Sequence, residues 1–319
     1  MNNFNKFILI TIGSFAVGCA STGTKTSNKS EAQSQTKIAS ALPANLYIST
    51  RTSESPKPQF CPANNGWKKE SLTRLMSYAN SCVVAKNAVR TEALGDWIAQ
   101  KSPYSPWGAY FLSLSAQLNK NYHRSLWMID LAIKKSPSTA MLHYQKGRIL
   151  WEMADYPSAV TAFKNSLQFN AQFADAHLFL AQLYFKEQNF KQSQYHFAQV
   201  VKIEPTNSEA FAGLAETQIL QGDFSLAVEN YALAVNLNPR QINYRIKLAS
   251  LYENNKKDLA SALLTYKRLH SYMTESKANF KELPFDLNEK IKKLEALVSE
   301  RDVAGKKVTA SDTTTVKKR

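Results

Sequence analysis

From Trp67 onward, apolar and polar residues alternate with helical spacing, and the pattern repeats. Pro103, Pro137, Pro205 and Pro239 fall on one 34-residue lattice, whose missing member is Ala171. Asn121-Tyr122, Asp155-Tyr156, Asn189-Phe190 and Asp223-Phe224 recur at the same spacing. So do the small residues Ser113, Gly147, Ala181 and Ala215, a second small set at Ser125, Ala159, Ser193 and Ala227, and the bulky set Ile129, Phe163, Phe197 and Tyr231. Thr73–Val84 and Thr91–Gln100 carry helical spacing ahead of this lattice, and Leu287–Val298 carries it behind. A fixed period of this size predicts stacked helical units rather than one globular core.

The residues just named resemble the tetratricopeptide repeat, whose period is 34. The family has a small residue at position 8 and a turn residue followed by an aromatic at 16–17. Further on come a small residue at 20, an aromatic at 24 and proline at 32. Repeats beginning at Pro106, Ala140, Ala174 and Ser208 fit in phase. A fifth begins at Ile242 and regains phase at Ala262, Tyr266 and Leu269 after one inserted residue near Asn255–Lys257. The resemblance implies an all-α fold, an α-solenoid of tandem helix-turn-helix repeats. About five repeats would fill residues 106–274, with a helical cap at 64–105 and a capping helix at 275–304. Lys146 stands where the family usually has leucine, and its stem is expected to reach outward.

The N-terminus reads differently. Lys6 is followed by an apolar run from Phe7 to Val17 that is too short to cross a bilayer as a helix, which needs about twenty residues. The run ends in Ala16-Val17-Gly18-Cys19, which resembles the lipobox of bacterial lipoproteins, with alanine in place of the usual leucine. That resemblance implies a signal peptide at 1–18 and an acylated Cys19. Because Ala20 is not aspartate, it also implies an outer-membrane anchor facing the periplasm. The alternative is an ordinary secretory signal with Cys19 incidental. Once Cys19 is acylated, Cys61 and Cys82 remain. In an exported protein they are expected either to be bridged or to be two separately buried thiols. Residues 19–63 are polar and carry Pro56, Pro58 and Pro62 near their end, the composition of a disordered tether, and the basic residues 305–319 read as a disordered tail.

Net charge is +15, unevenly spread: residues 64–139 hold ten basic and four acidic side chains, whereas residues 140–241 hold seven and nine. This fits an anionic envelope surface or an acidic partner, and export argues against nucleic acid.

No phosphate loop, HExxH or GxSxG is present, and no Cys/His spacing suggests zinc. No catalytic residue, metal or cofactor is expected. His143 and His177, one period apart, read as packing residues.

In the family, positions 2, 5, 9 and 12 of each first helix line a concave groove. Carried onto this sequence, they nominate Trp107, Tyr110, Tyr144, Arg148, Trp151, Leu178 and Phe185 as the partner-binding surface. In the alternative, the aromatics pack between repeats. The later groove, with Glu209, Glu216 and Glu253, reads as acidic. These features imply a non-enzymatic scaffold or assembly factor of the bacterial envelope that binds a protein partner, as in type IV pilus or secretin assembly. The alternative function is a regulatory subunit recruiting a peptidoglycan synthase or hydrolase.

Overall fold

The structure, a computed structural model, describes residues 61–62, 65–276 and 283–315, with residues 302–315 as backbone. The predicted signal, Cys19 and most of the tether lie outside the described residues. The described part belongs to one unit, Ala44–Arg319.

Left-handed backbone falls on the sequence lattice. Positive φ occurs at Lys86, Lys120, Ala154, Gln188 and Gly222, each 34 residues after the last, and then at Lys257. Each closes the turn between the two helices of a hairpin. The next residue is Asn or Asp at every turn, because a short polar side chain can accept the unsatisfied N–H groups of the following helix. Asn87, Asn121, Asp155, Asn189 and Asp258 each take the amide three residues on. This is the physical content of the turn residue seen in the sequence.

The described residues form thirteen α-helices and no strand. The first hairpin is α1 (Leu72–Val84) and α2 (Ala88–Lys101). Four more follow: α3 (Trp107–Leu118) with α4 (Tyr122–Lys135), α5 (Ala140–Glu152) with α6 (Tyr156–Phe169), α7 (Ala174–Lys186) with α8 (Phe190–Ile203), and α9 (Ser208–Gln221) with α10 (Phe224–Leu237). The last pairs α11 (Ile242–Ser250) with α12 (Leu259–Glu275), and α13 (Leu287–Thr315) packs on α12. Lys86 and Asn87 place α1–α2 in phase with the rest, so the N-terminal cap is itself a hairpin of the array.

The inserted residue in the last hairpin is absorbed by a π turn at Leu251–Asn255, where Lys256 donates to the Leu251 carbonyl at 3.0 Å. Widening one turn is a local way to accommodate an extra residue without losing the downstream register. α13 runs on through residues expected to be a disordered tail.

Packing follows the repeat. Gly147 lets Phe163 lie against α5: a Cβ there would stand 2.6 Å from the Phe163 ring. Ser113 and Ser125 meet at 3.0 Å, two small buried residues where helices cross closely. Three buried clusters span neighbouring hairpins and a fourth joins the last hairpin to α13, so neighbouring units complete one another's cores. Lys146 is half-buried and pairs with Asp130 on the preceding hairpin at 2.8 Å. A disulfide joins Cys61 to Cys82 on α1, with their Cα atoms 4.7 Å apart. No described helix is long and apolar enough to cross a membrane.

Candidate functional site

The first helices of the hairpins present the predicted inner-face residues, but these divide sharply by depth. Trp107 is 1% exposed and Leu178 is 0% exposed, so neither is open to a partner. Trp107 packs edge-on to Tyr110, and its indole N–H finds no acceptor, which marks it as a packing residue. Leu178 sits among Ala181, Phe197, Val200, Ala210 and Leu214, in the seam with the following hairpin. Tyr144, at the position equivalent to Leu178, is also buried, enclosed by Phe163, Phe173 and Phe179. For these three the assignment as partner anchors is corrected: this face of the helix turns into the next repeat, and apolar burial there holds the stack together.

Tyr110, Arg148, Trp151 and Phe185 remain half-buried. Trp151 is buttressed edge-on by Tyr156 and Phe179, and Phe185 by Phe190. Positions 9 and 12 are thus half-open on α5 and α7, whereas on α3 those positions, Leu114 and Gln117, are buried and the half-open residue is Tyr110 at position 5.

Between the first two of these helices lies a polar ladder that the sequence reading did not assemble. Arg148 Nη1 donates to Gln145 Oε1 at 3.5 Å, and Gln145 Nε2 to Gln117 Oε1 at 2.6 Å. Gln117 Nε2 in turn donates to Glu152 Oε1 at 2.7 Å. Both glutamines are buried, so each amide needs a partner, and a run of amides ending in ions supplies them. A depression of about 260 Å³ opens beside the ladder, lined by Leu114, Leu118, Lys120 and Tyr122 with Arg148 and Glu152. Its lining mixes apolar Leu114 and Leu118 with the charged Lys120, Arg148 and Glu152. Burial pushes the Tyr110 phenol up to about 12 despite the nearby Arg148 guanidinium, so it stays protonated at neutral pH. Gln117 falls at position 12 of its repeat, one of the groove positions, whereas Glu152 lies one residue past that set and carries no separate signal in the sequence.

The acidic later groove is largely neutralised within the chain. Glu216 accepts from the Tyr231 hydroxyl at 3.3 Å and pairs with Lys247 at 2.6 Å. Glu253 accepts from Tyr266 at 3.3 Å and pairs with Lys290 at 2.7 Å. Burial, then the adjacent carboxylate, raises both phenols above their ordinary range. Glu209 takes an amide hydrogen bond from Gln182 at 2.6 Å.

The histidines serve the stack. His143 Nε2 donates to the Pro137 carbonyl at 2.7 Å, and its ring stacks on Phe169. His177 Nε2 donates to the Ala171 carbonyl, the equivalent atom one repeat on. Arg245 makes the same link to Pro239. A carbonyl can only accept, so Nε2 of His177 carries the proton and its Nδ1 is an acceptor. The Nδ1–H of buried His196 fills it at 2.8 Å. Burial, then His177 and Lys164, hold His196 down to about 4, and burial also lowers His177, so the pair is uncharged at neutral pH. Among the described residues no group of three or more His, Cys, Asp or Glu is arranged to hold a metal.

No family model matches the chain. Curated relatives include anaphase-promoting complex subunit 3 of Schizosaccharomyces pombe, 23% identical over 152 residues, covering 48% of this chain and 23% of the relative. A TPR repeat-containing protein of Methanocaldococcus jannaschii is 24% identical over 204 residues, covering 50% and 35%. The chain thus spans about a quarter to a third of the length of these relatives. Similar solved structures include MamA of Desulfovibrio magneticus (TM-score 0.47, 18% identity, 58% of this chain and 96% of that one). Another is YrrB, described as a TPR protein with an unusual peptide-binding site (TM-score 0.44, 17% identity, 55% and 91%).

Proposed function

We infer that this chain, a tandem array of tetratricopeptide repeats, is a non-enzymatic scaffold that receives a segment of a partner protein along the inner faces of its first helices. One observation carries this reading. Tyr110, Arg148, Trp151 and Phe185 stay half-open on the inner faces of α3, α5 and α7, while Trp107, Tyr144 and Leu178 are sealed into the stack. Rigid aromatics beside an arginine are the side chains that most often dominate protein interfaces. Arg148 reaches Gln145 at 3.5 Å and lies over the Tyr144 ring, contacts that favour its bound orientation and lower the ordering cost of binding.

In the fuller reading, lipid on Cys19 holds the scaffold at the outer membrane, facing the periplasm. Its partner is then an envelope component, with assembly of a type IV pilus or secretin as the task. The lipobox-like Ala16-Val17-Gly18-Cys19 and the polar stretch behind it support this.

A photo-crosslinking residue placed at 110 or 151 in cells tests both levels. Capture of a secretin or pilus component, lost on Arg148→Glu with the helical spectrum unchanged, is the expected result. Capture of a peptidoglycan synthase or hydrolase would move the task to cell-wall regulation while keeping the groove. Capture that survives both Arg148→Glu and Trp151→Ala would place the binding surface elsewhere. Absence of labelled fatty acid on the protein in cells, with the Cys19→Ser variant as the blank, would remove the lipid anchor from the account.

A further inference from the structure

The outer face of the array carries an apolar pair that packing does not require. On α4, Trp127 is 64% exposed and Leu131, one turn further, is 37% exposed. At the Trp127 register the following repeats carry Thr161, Tyr195 and Glu229, and at the Leu131 register Asn165, Gln199 and Leu233, of which Tyr195 and Leu233 are themselves exposed. The fold therefore accepts polar residues here, and an exposed Trp127 is not needed to hold the stack together. The next turn of α4 presents Lys134 and Lys135, and Lys135 Nζ donates to the Pro103 carbonyl at 2.7 Å. That bond sets the end of α4 beside the loop bearing Tyr104, which is 80% exposed, and beside Lys101 at the end of α2.

Basic side chains outnumber acidic ones around this face. Of the four acids in residues 64–139, Glu70 pairs with Arg74, Glu92 with Arg124 and Asp130 with Lys146, and the fourth, exposed Asp96, feels the charges of Glu92 and Arg124. No carboxylate pairs with Lys101, Lys134 or Lys135 among the described residues. What remains is an indole, a phenol and a leucine set among lysines with long apolar stems. Indoles and phenols settle at the boundary between headgroups and hydrocarbon, and lysines extend their charge back toward lipid phosphates.

We propose that this outer face, built on Tyr104, Trp127, Leu131, Lys101, Lys134 and Lys135, docks on an anionic phospholipid surface. Docking lays the outer side of the second hairpin on the bilayer and leaves the inner strip on the opposite side of the same hairpin free for a partner. It needs neither lipid on Cys19 nor an occupied groove.

The test is co-sedimentation of residues 20–319, which retain the whole unit Ala44–Arg319 and lack both the predicted signal and Cys19, with phosphatidylcholine vesicles with and without phosphatidylglycerol. The chain is expected to pellet with the anionic vesicles, to stay soluble with the neutral ones, and to be released by high salt. Trp127→Thr with Leu131→Asn uses residues this register already carries one repeat on, so the fold is kept, and partition should fall about tenfold or more. Lys134→Glu with Lys135→Glu should lower it about as much and flatten the salt dependence. Leu226→Ser, at an exposed site on α10, should change nothing. Equal pelleting with neutral vesicles, or native partition by both double variants with unchanged circular dichroism, would overturn the proposal. Because Cys19 is absent from the assay, neither result bears on lipid anchoring.

Discussion

At Gly147 a single methyl group tests the packing. A Cβ there meets Phe163 ring carbons at 2.6–2.8 Å, and Phe163 is fully buried with little room to give. Gly147→Ala is expected to cost about 1–3 kcal/mol in denaturant unfolding, and adding Phe163→Leu should recover part of the loss. His177 and His196 set a pH dependence. Both pKa values are depressed in the folded state, so the unfolded chain takes up protons first as the pH falls. Their contribution to stability is complete above about 6.5 and is lost progressively toward about 4, where His196 itself titrates. Melting followed between pH 7 and 4 should show a decline of order 1–3 kcal/mol. A His196→Phe variant, if folded, should lack most of it.

Elements are set by their ends. Each hairpin turn pairs a left-handed residue with an Asn or Asp cap, and the two can be tested separately. Asp155 takes the Ser158 amide at 3.3 Å, whereas Asp223 makes no such bond. Asp155→Ala should therefore cost about 1 kcal/mol, and Asp223→Ala distinctly less. Ala154 sits at φ 61° where glycine would be unstrained, so Ala154→Gly should be neutral or stabilising by up to about 1 kcal/mol. Gly222 at φ 86° is the converse: nothing lies within 4 Å of an added Cβ, so Gly222→Ala costs only the backbone strain, about 1 kcal/mol. The Cys61–Cys82 bridge closes a 21-residue separation. By loop-closure entropy alone, reducing it should lower stability by roughly 3 kcal/mol, read as a shift in the unfolding midpoint with and without reductant.

Across the whole molecule, each hairpin supplies the apolar cover for its neighbour, so stability is distributed along the array. The last hairpin shows this at the boundary. Tyr266, Leu269 and Met273 of α12 are buried together with Leu287 and Leu294 of α13. A chain ending at residue 282 would open that seam to water. Hydrogen exchange in α12 should then become fast while α5 and α6 keep their protection, since their partners are untouched.

The sequence by itself determined the period, the hairpin, the turn chemistry and the inserted residue. Each follows from interactions within some 34 residues, where helical spacing and capping leave little choice. It also placed Lys146 outside the core and His143 and His177 in packing roles. Only the tertiary structure decided which inner-face residues stay open. Trp107, Tyr144 and Leu178 share a helical face with Trp151 and Phe185, yet the first three are sealed and the last two are not. That difference depends on where one hairpin crosses the next, a geometry that no residue's neighbours in the chain encode. The Gln145–Gln117–Glu152 ladder and the His177–His196 contact arise in the same way, from side chains 19 to 35 residues apart that only packing brings within hydrogen-bonding reach.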